Sequence, residues 1–175
     1  DISNLTPGQS AIGPDGALYF AASDVHQIRR IWLYGDRKGN VDILAGTGDA
    51  GDSGDGGPTT AARLNKPIAL AIAPDGAVLF MDSGNRRLRR ISPTGVIESL
   101  AGNGAASDAP LSADGVPALD VNLSATSLAV SKDMTIWAVD GSNLRQISTA
   151  GTMSRFNASG EPLVQVGSVP AGIVW

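Results

Sequence analysis

Ile72-Ala73-Pro74-Asp75-Gly76-Ala77-Val78-Leu79-Phe80 restates, sixty residues on, the stretch Ile12-Gly13-Pro14-Asp15-Gly16-Ala17-Leu18-Tyr19-Phe20. Self-similarity at a fixed period marks a repeat architecture. The register holds without a gap as far as Gln27-Ile28-Arg29-Arg30-Ile31, which falls on Arg87-Leu88-Arg89-Arg90-Ile91. A third, more diverged copy runs from Val130 to Asp140 and then through Asn143-Leu144-Arg145-Gln146-Ile147, with two residues missing from the turn between. Further along, Gly39 to Gly48 resembles Gly95 to Gly104, and Gly151 to Phe156 is a third form of the same segment. Even the connectors repeat: Asp55-Gly56-Gly57-Pro58 ahead of Leu64 answers Asp114-Gly115-Val116-Pro117 ahead of Leu123.

Each unit reads as four short strands. Asp15-Gly16 and Asp75-Gly76 sit between apolar runs, a hairpin signal because Gly accepts positive φ and Asp tolerates the left-handed region. No helical period is sustained anywhere, and four antiparallel strands per repeat describe the blade of a β-propeller. The expectation is an all-β fold. Residues 1–175 form one propeller segment of three four-stranded blades, with repeats at about 5–48, 64–104 and 123–160. The first strand of a fourth blade lies within 161–175, where Pro170 to Trp175 resembles Pro67 to Ile72. In Leu88-Arg89-Arg90-Ile91 the two apolar residues fall on opposite faces of an ideal strand, which predicts a bulge or burial on both faces. Three blades do not close a ring, so the remaining blades are expected from the same polypeptide or from a second copy of this chain.

Composition bounds the function. Hydrophobic residues make up 42% of the chain, enough for a core, while 22 Gly and 10 Pro predict many turns. A net charge of −4 argues against a surface built to neutralise phosphates, and nucleic acid is not an expected partner. No run approaches the roughly 18 apolar residues that cross a bilayer. The absence of Cys removes disulfides and thiolate chemistry and leaves the compartment open.

Asp75-Gly76, then Asp82-Ser83-Gly84-Asn85-Arg86-Arg87-Leu88-Arg89, resembles the NHL repeat, whose name-giving Asn-His-Leu reads here as Asn85-Arg86 and then Leu88. The stretch Leu44 to Gly48, followed by Gly54 to Pro58, Leu64 and Pro67, resembles the NHL arrays of bacterial Rhs-like YD-repeat proteins and of teneurins. The likeness covers nearly the whole chain. It implies a ring of about six blades and an extracellular or cell-surface interaction scaffold that binds protein or glycan through its inter-blade loops. The third unit departs from the pattern in its shortened Ser142-Asn143-Leu144 and in Thr126 where Pro67 stands. Asp15, Gly16, Asp75, Gly76, Asp82, Asn85, Arg87, Arg89, Asp140, Asn143 and Arg145 read as structural repeat positions.

Asp49, Asp52 and Asp55 are spaced by three among glycines and could wrap a Ca²⁺ ion. The preferred reading is a solvated connector whose aspartates cap backbone N–H groups, because the terminal Glu of an EF-hand loop is missing and the second connector keeps only Asp108 and Asp114. His26, the single histidine, reads as an exposed turn residue. Seven arginines (Arg29, Arg30, Arg86, Arg87, Arg89, Arg90 and Arg145) recur at equivalent places, which suggests pairing with Asp24, Asp82 or Asp140 rather than an RNA-binding face. Trp32, Trp137 and Trp175 read as packing groups. No Gly-x-Ser-x-Gly elbow or phosphate-loop ending is present. The expected function is therefore a non-catalytic scaffold without a required cofactor. The alternative is the wall-forming half of a metal-dependent hydrolase or lyase propeller with its catalytic residues in other blades.

Overall fold

The computed structural model describes residues 7–105 and 114–156. β1 (Pro7–Ile12), β2 (Ala17–Ala22), β3 (Gln27–Trp32) and β4 (Val41–Ala45) form an antiparallel meander. A second is built from β5 (Pro67–Ile72), β6 (Val78–Asp82), β7 (Arg87–Ile91) and β8 (Ile97–Ala101). The connector that follows supplies β9 (Val116–Pro117), which pairs on the outer edge of a third meander. That meander comprises β10 (Ala125–Val130), β11 (Ile136–Asp140), β12 (Asn143–Ile147) and β13 (Thr152–Arg155). Three blades are therefore present as expected. The strand expected at Pro170 to Trp175, and Asp108 of the second connector, lie outside the described residues.

The first hairpin of each blade is closed in the same way. Gly13 N donates to Ala17 O at 2.9 Å and Ala73 N to Ala77 O at 2.8 Å. Inside these turns Asp15 Oδ1 accepts from Ala17 N at 3.1 Å, and Asp75 Oδ1 from Ala77 N at 3.0 Å. In the third blade Asp133 Oδ1 accepts from Thr135 N at 3.2 Å, but Met134 stands where the others have Gly, at φ 68°. The turn between second and third strands also differs. Asp82 pairs with Arg87 across a 3₁₀ turn at Ser83–Asn85, whereas Asp140 pairs directly with Asn143. Asn143 thus occupies the ladder position of Arg87, not that of Asn85, because the two lost residues are those that would have formed the 3₁₀ turn. Ala125, not Thr126, stands at the position of Pro67, since each pairs with the equivalent aspartate.

The second meander explains why its third strand does not alternate. Leu79, Met81 and Leu88 pack in one buried cluster together with Leu128, Ile136 and Ile147 of the third blade. Val78, Phe80 and Ile91 pack in the other, together with Ala17, Tyr19 and Ile28 of the first. Both faces are buried, so Leu88 and Ile91 each have an apolar neighbour. The bulge is real too, but its extra residue is in the fourth strand. Ile28 pairs with Ala45 and Arg29 with Ile43, leaving Leu44 over, and Leu100 is left over in the same way in β8.

The outer faces of the end blades are less covered. Ile12 is 65% exposed, although its equivalent Ile72 is half-buried against the first blade. Val139 and Leu144 are half-buried, although their equivalents Met81 and Leu88 are fully covered.

Gly102 sits at φ +92°, where a Cβ would stand 2.1 Å from Arg86 O, whereas Gly95 at φ +80° has open space around it. Replacing Gly95 with Ala is expected to cost about 1 kcal/mol for the left-handed backbone. Gly102→Ala should cost about 3 kcal/mol, since the backbone must also move. Urea unfolding of the two variants measures the difference, and equal costs would show that the close approach does not matter.

Candidate functional site

Antiparallel meanders send alternate turns to opposite ends. The β2–β3 and β6–β7 turns share one end with the points where connectors leave each blade, and the β1–β2 and β3–β4 turns and their equivalents share the other. The connector from Gly46 to Lys66 is pinned along its length. Gly46 N donates to Thr59 O at 3.1 Å, Thr47 N to Ala62 O at 3.0 Å and Gly51 N to Leu64 O at 3.1 Å. Farther out, Gly56 N donates to Ile97 O at 2.7 Å and Ile97 N to Gly57 O at 3.1 Å, which hooks the connector onto the outer strand of the second blade.

Arg89 is the anchor. It is 0% exposed, and each of its five N–H directions meets an acceptor. Nε and Nη2 donate to Asp55 Oδ1 at 3.1 and 2.6 Å, and Nη2 also to Ser53 O at 3.0 Å. Nη1 donates to Arg63 O at 3.0 Å and to Asp82 Oδ2 at 3.3 Å. Asp82, also 0% exposed, accepts from Asn65 N at 2.6 Å and from Asn85 Nδ2 at 2.8 Å. Asn85 Nδ2 in turn donates to Gly51 O at 2.6 Å. One buried cation thus ties two strands of the second blade to both arms of the connector. Burial pushes the Asp82 carboxyl up in spite of Asn65, Asn85 and Arg89. At Asp55 burial pushes the same way, but the Ser99 hydroxyl and Arg89 outweigh it and hold the carboxyl below its usual range.

Two expected pairs are present, Arg89 with Asp82 and Arg145 Nε with Asp140 Oδ2 at 3.2 Å. The first blade needs a correction. Its strand register places Ala22 at the position of Asp82, so Asp24 is not the equivalent carboxylate, and Arg29 Nε donates to Gln27 Oε1 at 2.8 Å. His26 is corrected as well. It is half-buried in the left-handed region, and its Nδ1 accepts from Lys66 N at 3.1 Å, fastening the start of the second blade to the first.

Asp49, Asp52 and Asp55 do not converge on a cation site. Each faces a different guanidinium: Arg63 at 3.2 Å, Arg87 at 3.0 Å and Arg89 at 2.6 Å. Among the described residues no group of three or more His, Asp or Glu side chains could hold a metal ion. The aspartates brace the connector against the blade instead.

At the opposite end, sequence reasoning missed a repeated cage. Arg30 bridges Asp15 at 3.1 Å and Asp42 at 2.9 Å, and Arg90 bridges Asp75 at 2.6 Å and Glu98 at 2.8 Å. The turn aspartate therefore holds both its own hairpin and the third strand. The signal was the fifteen-residue Asp-to-Arg spacing present in two repeats, with Gln146 replacing Arg in the third. Trp32 is not simply a packing group: its ring lies 4.5 Å from the guanidinium carbons of both Arg30 and Arg37, and its Nε1 donates to Asp42 at 2.9 Å. Trp137 meets Phe156 edge-on at 4.8 Å. Trp175 lies outside the described residues.

A family model described as the teneurin NHL domain matches residues 13–124, more than half of the chain. The chain belongs to the teneurin NHL-domain family. It is 36% identical over 119 residues to teneurin-1 of Gallus gallus, covering 62% of this chain and 4% of that protein. To teneurin-4 of Homo sapiens it is 33% identical over 146 residues, covering 76% of this chain and 5% of that protein. It thus spans only about a twentieth of the length of such relatives. Among solved structures it resembles virginiamycin B lyase from Staphylococcus aureus, with TM-score 0.55 and 15% identity over 89% of this chain and 42% of that one. It also resembles a gluconolactonase from Xanthomonas campestris, with TM-score 0.59 and 14% identity over 87% of this chain and 48% of that one. At such identities the likeness concerns the fold alone. These neighbours are six-bladed propellers, and covering a little under half of each is what three of six blades would do. The teneurin NHL segment described here is accordingly a partial propeller that implies other blades. No helix among the described residues is long and apolar enough to cross a membrane.

Arg89→Met should destabilise the segment by about 3–5 kcal/mol, because it strands Asp82 as a buried, unpaired charge. Adding Asp82→Asn should recover part of the loss, and a double-mutant cycle in urea reads the coupling. Asp55, Asp15 and Asp75 have folded values below their ordinary ones. Their contribution is therefore complete above the unfolded carboxylate value, about 4, and is lost as the pH falls through the lower folded values. Thermal melts in that acid window should show the loss, less steeply in Asp55→Asn.

Proposed function

We propose that the segment is a non-catalytic interaction module outside the cell, one arc of a propeller that binds a protein or glycan partner through its inter-blade connectors. The observation that carries this reading is the bracing of the Gly46 to Lys66 connector by Arg89, Asp82 and Asp55. A long loop fixed at both arms loses little entropy on binding, so its exposed side chains are ready-made contacts. Ala50, Ser53 and Thr60 are exposed on it, whereas the exposed Thr47 also serves the loop itself, its hydroxyl accepting from Asp49 N at 3.3 Å. Membership of the teneurin NHL-domain family supports the extracellular setting.

The test uses the protein carrying the complete ring, screened by biolayer interferometry against arrays of extracellular proteins and glycans. Ala50→Arg adds bulk to the connector surface, and Lys132→Glu alters an exposed turn at the opposite end. The expected result is a saturable partner whose affinity falls about tenfold or more with Ala50→Arg and changes little with Lys132→Glu. Sensitivity to Lys132→Glu with indifference to Ala50→Arg would contradict the connector reading.

A further inference from the structure

The clefts between successive blades are built from equivalent residues, yet they are filled differently at the end away from the point where the connectors leave. Between the first and second blades Tyr19 is 8% exposed and packs in the inter-blade core with Trp32 alongside. The Tyr19 hydroxyl donates to Asp15 Oδ2 at 2.8 Å and accepts from Arg30 Nη1 at 3.4 Å. The sixty-residue shift places Leu79 at the position of Tyr19 and Ser92 at that of Trp32. Two aromatic rings are thus missing from the cleft between the second and third blades. What stands there is a cavity of about 290 Å³, floored by Leu79, Leu100, Val130, Ile136 and Ile147, with Arg90 and Glu98 on its wall. That volume is at the lower end of ligand pockets, roughly 300 Å³ upward.

The polar cage that receives the Tyr19 hydroxyl in the first cleft is kept in the second. Arg90 bridges Asp75 and Glu98 as Arg30 bridges Asp15 and Asp42. A carboxylate has lone pairs to spare beyond one arginine contact, and a guanidinium face accepts an aromatic ring, as Arg30 does for Trp32. We propose that the cleft between the second and third blades binds a phenol ring, with the ring on the apolar floor against Arg90 and the hydroxyl at the Asp75–Arg90–Glu98 cage. The first cleft is the intramolecular template, in which the chain supplies its own phenol. The site is separate from the connector loops, so it stands or falls independently of the proposed function.

The probe is p-cresol, titrated into the complete-ring protein and followed by calorimetry and ligand-detected NMR, with toluene as the ring without a hydroxyl. Saturable p-cresol binding is expected, weaker by about tenfold or more in Leu79→Tyr, which restores the built-in phenol, and weaker by about fivefold or more for toluene. If Leu79→Tyr does not fold, Ser92→Trp restores the other ring of the first-cleft template, at the position equivalent to Trp32, and should weaken binding by about tenfold or more as well. Acetyl-Gly-Tyr-Gly-amide distinguishes the source of the ring. Binding of this peptide as strong as that of p-cresol indicates a tyrosine side chain from a partner, and binding of p-cresol alone indicates a free phenol. No saturable p-cresol binding, binding unchanged by the cavity-filling variant that folds, or toluene bound as well as p-cresol would each overturn the proposal.

Discussion

Every sheet here has two apolar faces, and that single constraint orders the rest. An ordinary half-solvated strand alternates apolar and polar residues, but β6 is buried at all five positions from Val78 to Asp82. Burying a Leu or Phe side chain contributes about 1.5–3 kcal/mol, so the second blade depends on its neighbours on both sides. Phe80 and Ile91 need the first blade, and Met81 and Leu88 need the third. The blades at the ends of the segment carry the same residue types with one face less covered. Ring closure resolves the same constraint globally, which is why a three-blade arc implies others.

The arginines follow from that burial, and they divide by depth. Arg30 and Arg90 are half-buried near the surface, each bridging two partly exposed carboxylates, and such bridges contribute on the order of 1 kcal/mol apiece. Their role is geometric, fixing the turn aspartate against the third strand. Arg89 is of another kind. With all its donors met inside the protein, it converts the glycine-rich connector from Gly46 to Lys66 into a fixed surface, and Asp82 is held beneath it at the expense of a carboxyl that burial pushes up. His26 does a related job between blades, meeting the backbone N–H of Lys66, which is itself left-handed at φ 51°.

Local rules were legible in the sequence, and long-range partners were not. The Asp-Gly hairpins, the four-strand unit and the two-sided third strand all follow from residues close in sequence, and the sixty-residue repeat multiplied their weight. The pairs Arg89–Asp82 and Arg145–Asp140 were legible for the same reason, being seven and five residues apart. Arg89 with Asp55 was not, since the two are separated by 34 residues and meet only after the connector has folded back. The assignment of Asp24 failed because a carboxylate near the end of β2 looked equivalent to Asp82, when the ladder puts Ala22 there. Likewise the even spacing of Asp49, Asp52 and Asp55 admits a ligand set and favours backbone capping, because the three arginines opposite them come into place only in the fold. The contrast between Tyr19 and Leu79 was printed in the aligned repeats, but only the packing of the blades shows that it opens a cavity.

The most direct test of two-sided burial is amide hydrogen exchange on the 175-residue chain alone, compared with the same residues inside the complete ring. The account predicts that β6 and β7 of the middle blade stay protected in both. In the isolated chain β2 and β11 should exchange faster than in the ring, because each has lost the neighbour on one face. Equal protection of all three blades in a monomeric isolated chain would contradict the claim that each sheet depends on a neighbour at both faces.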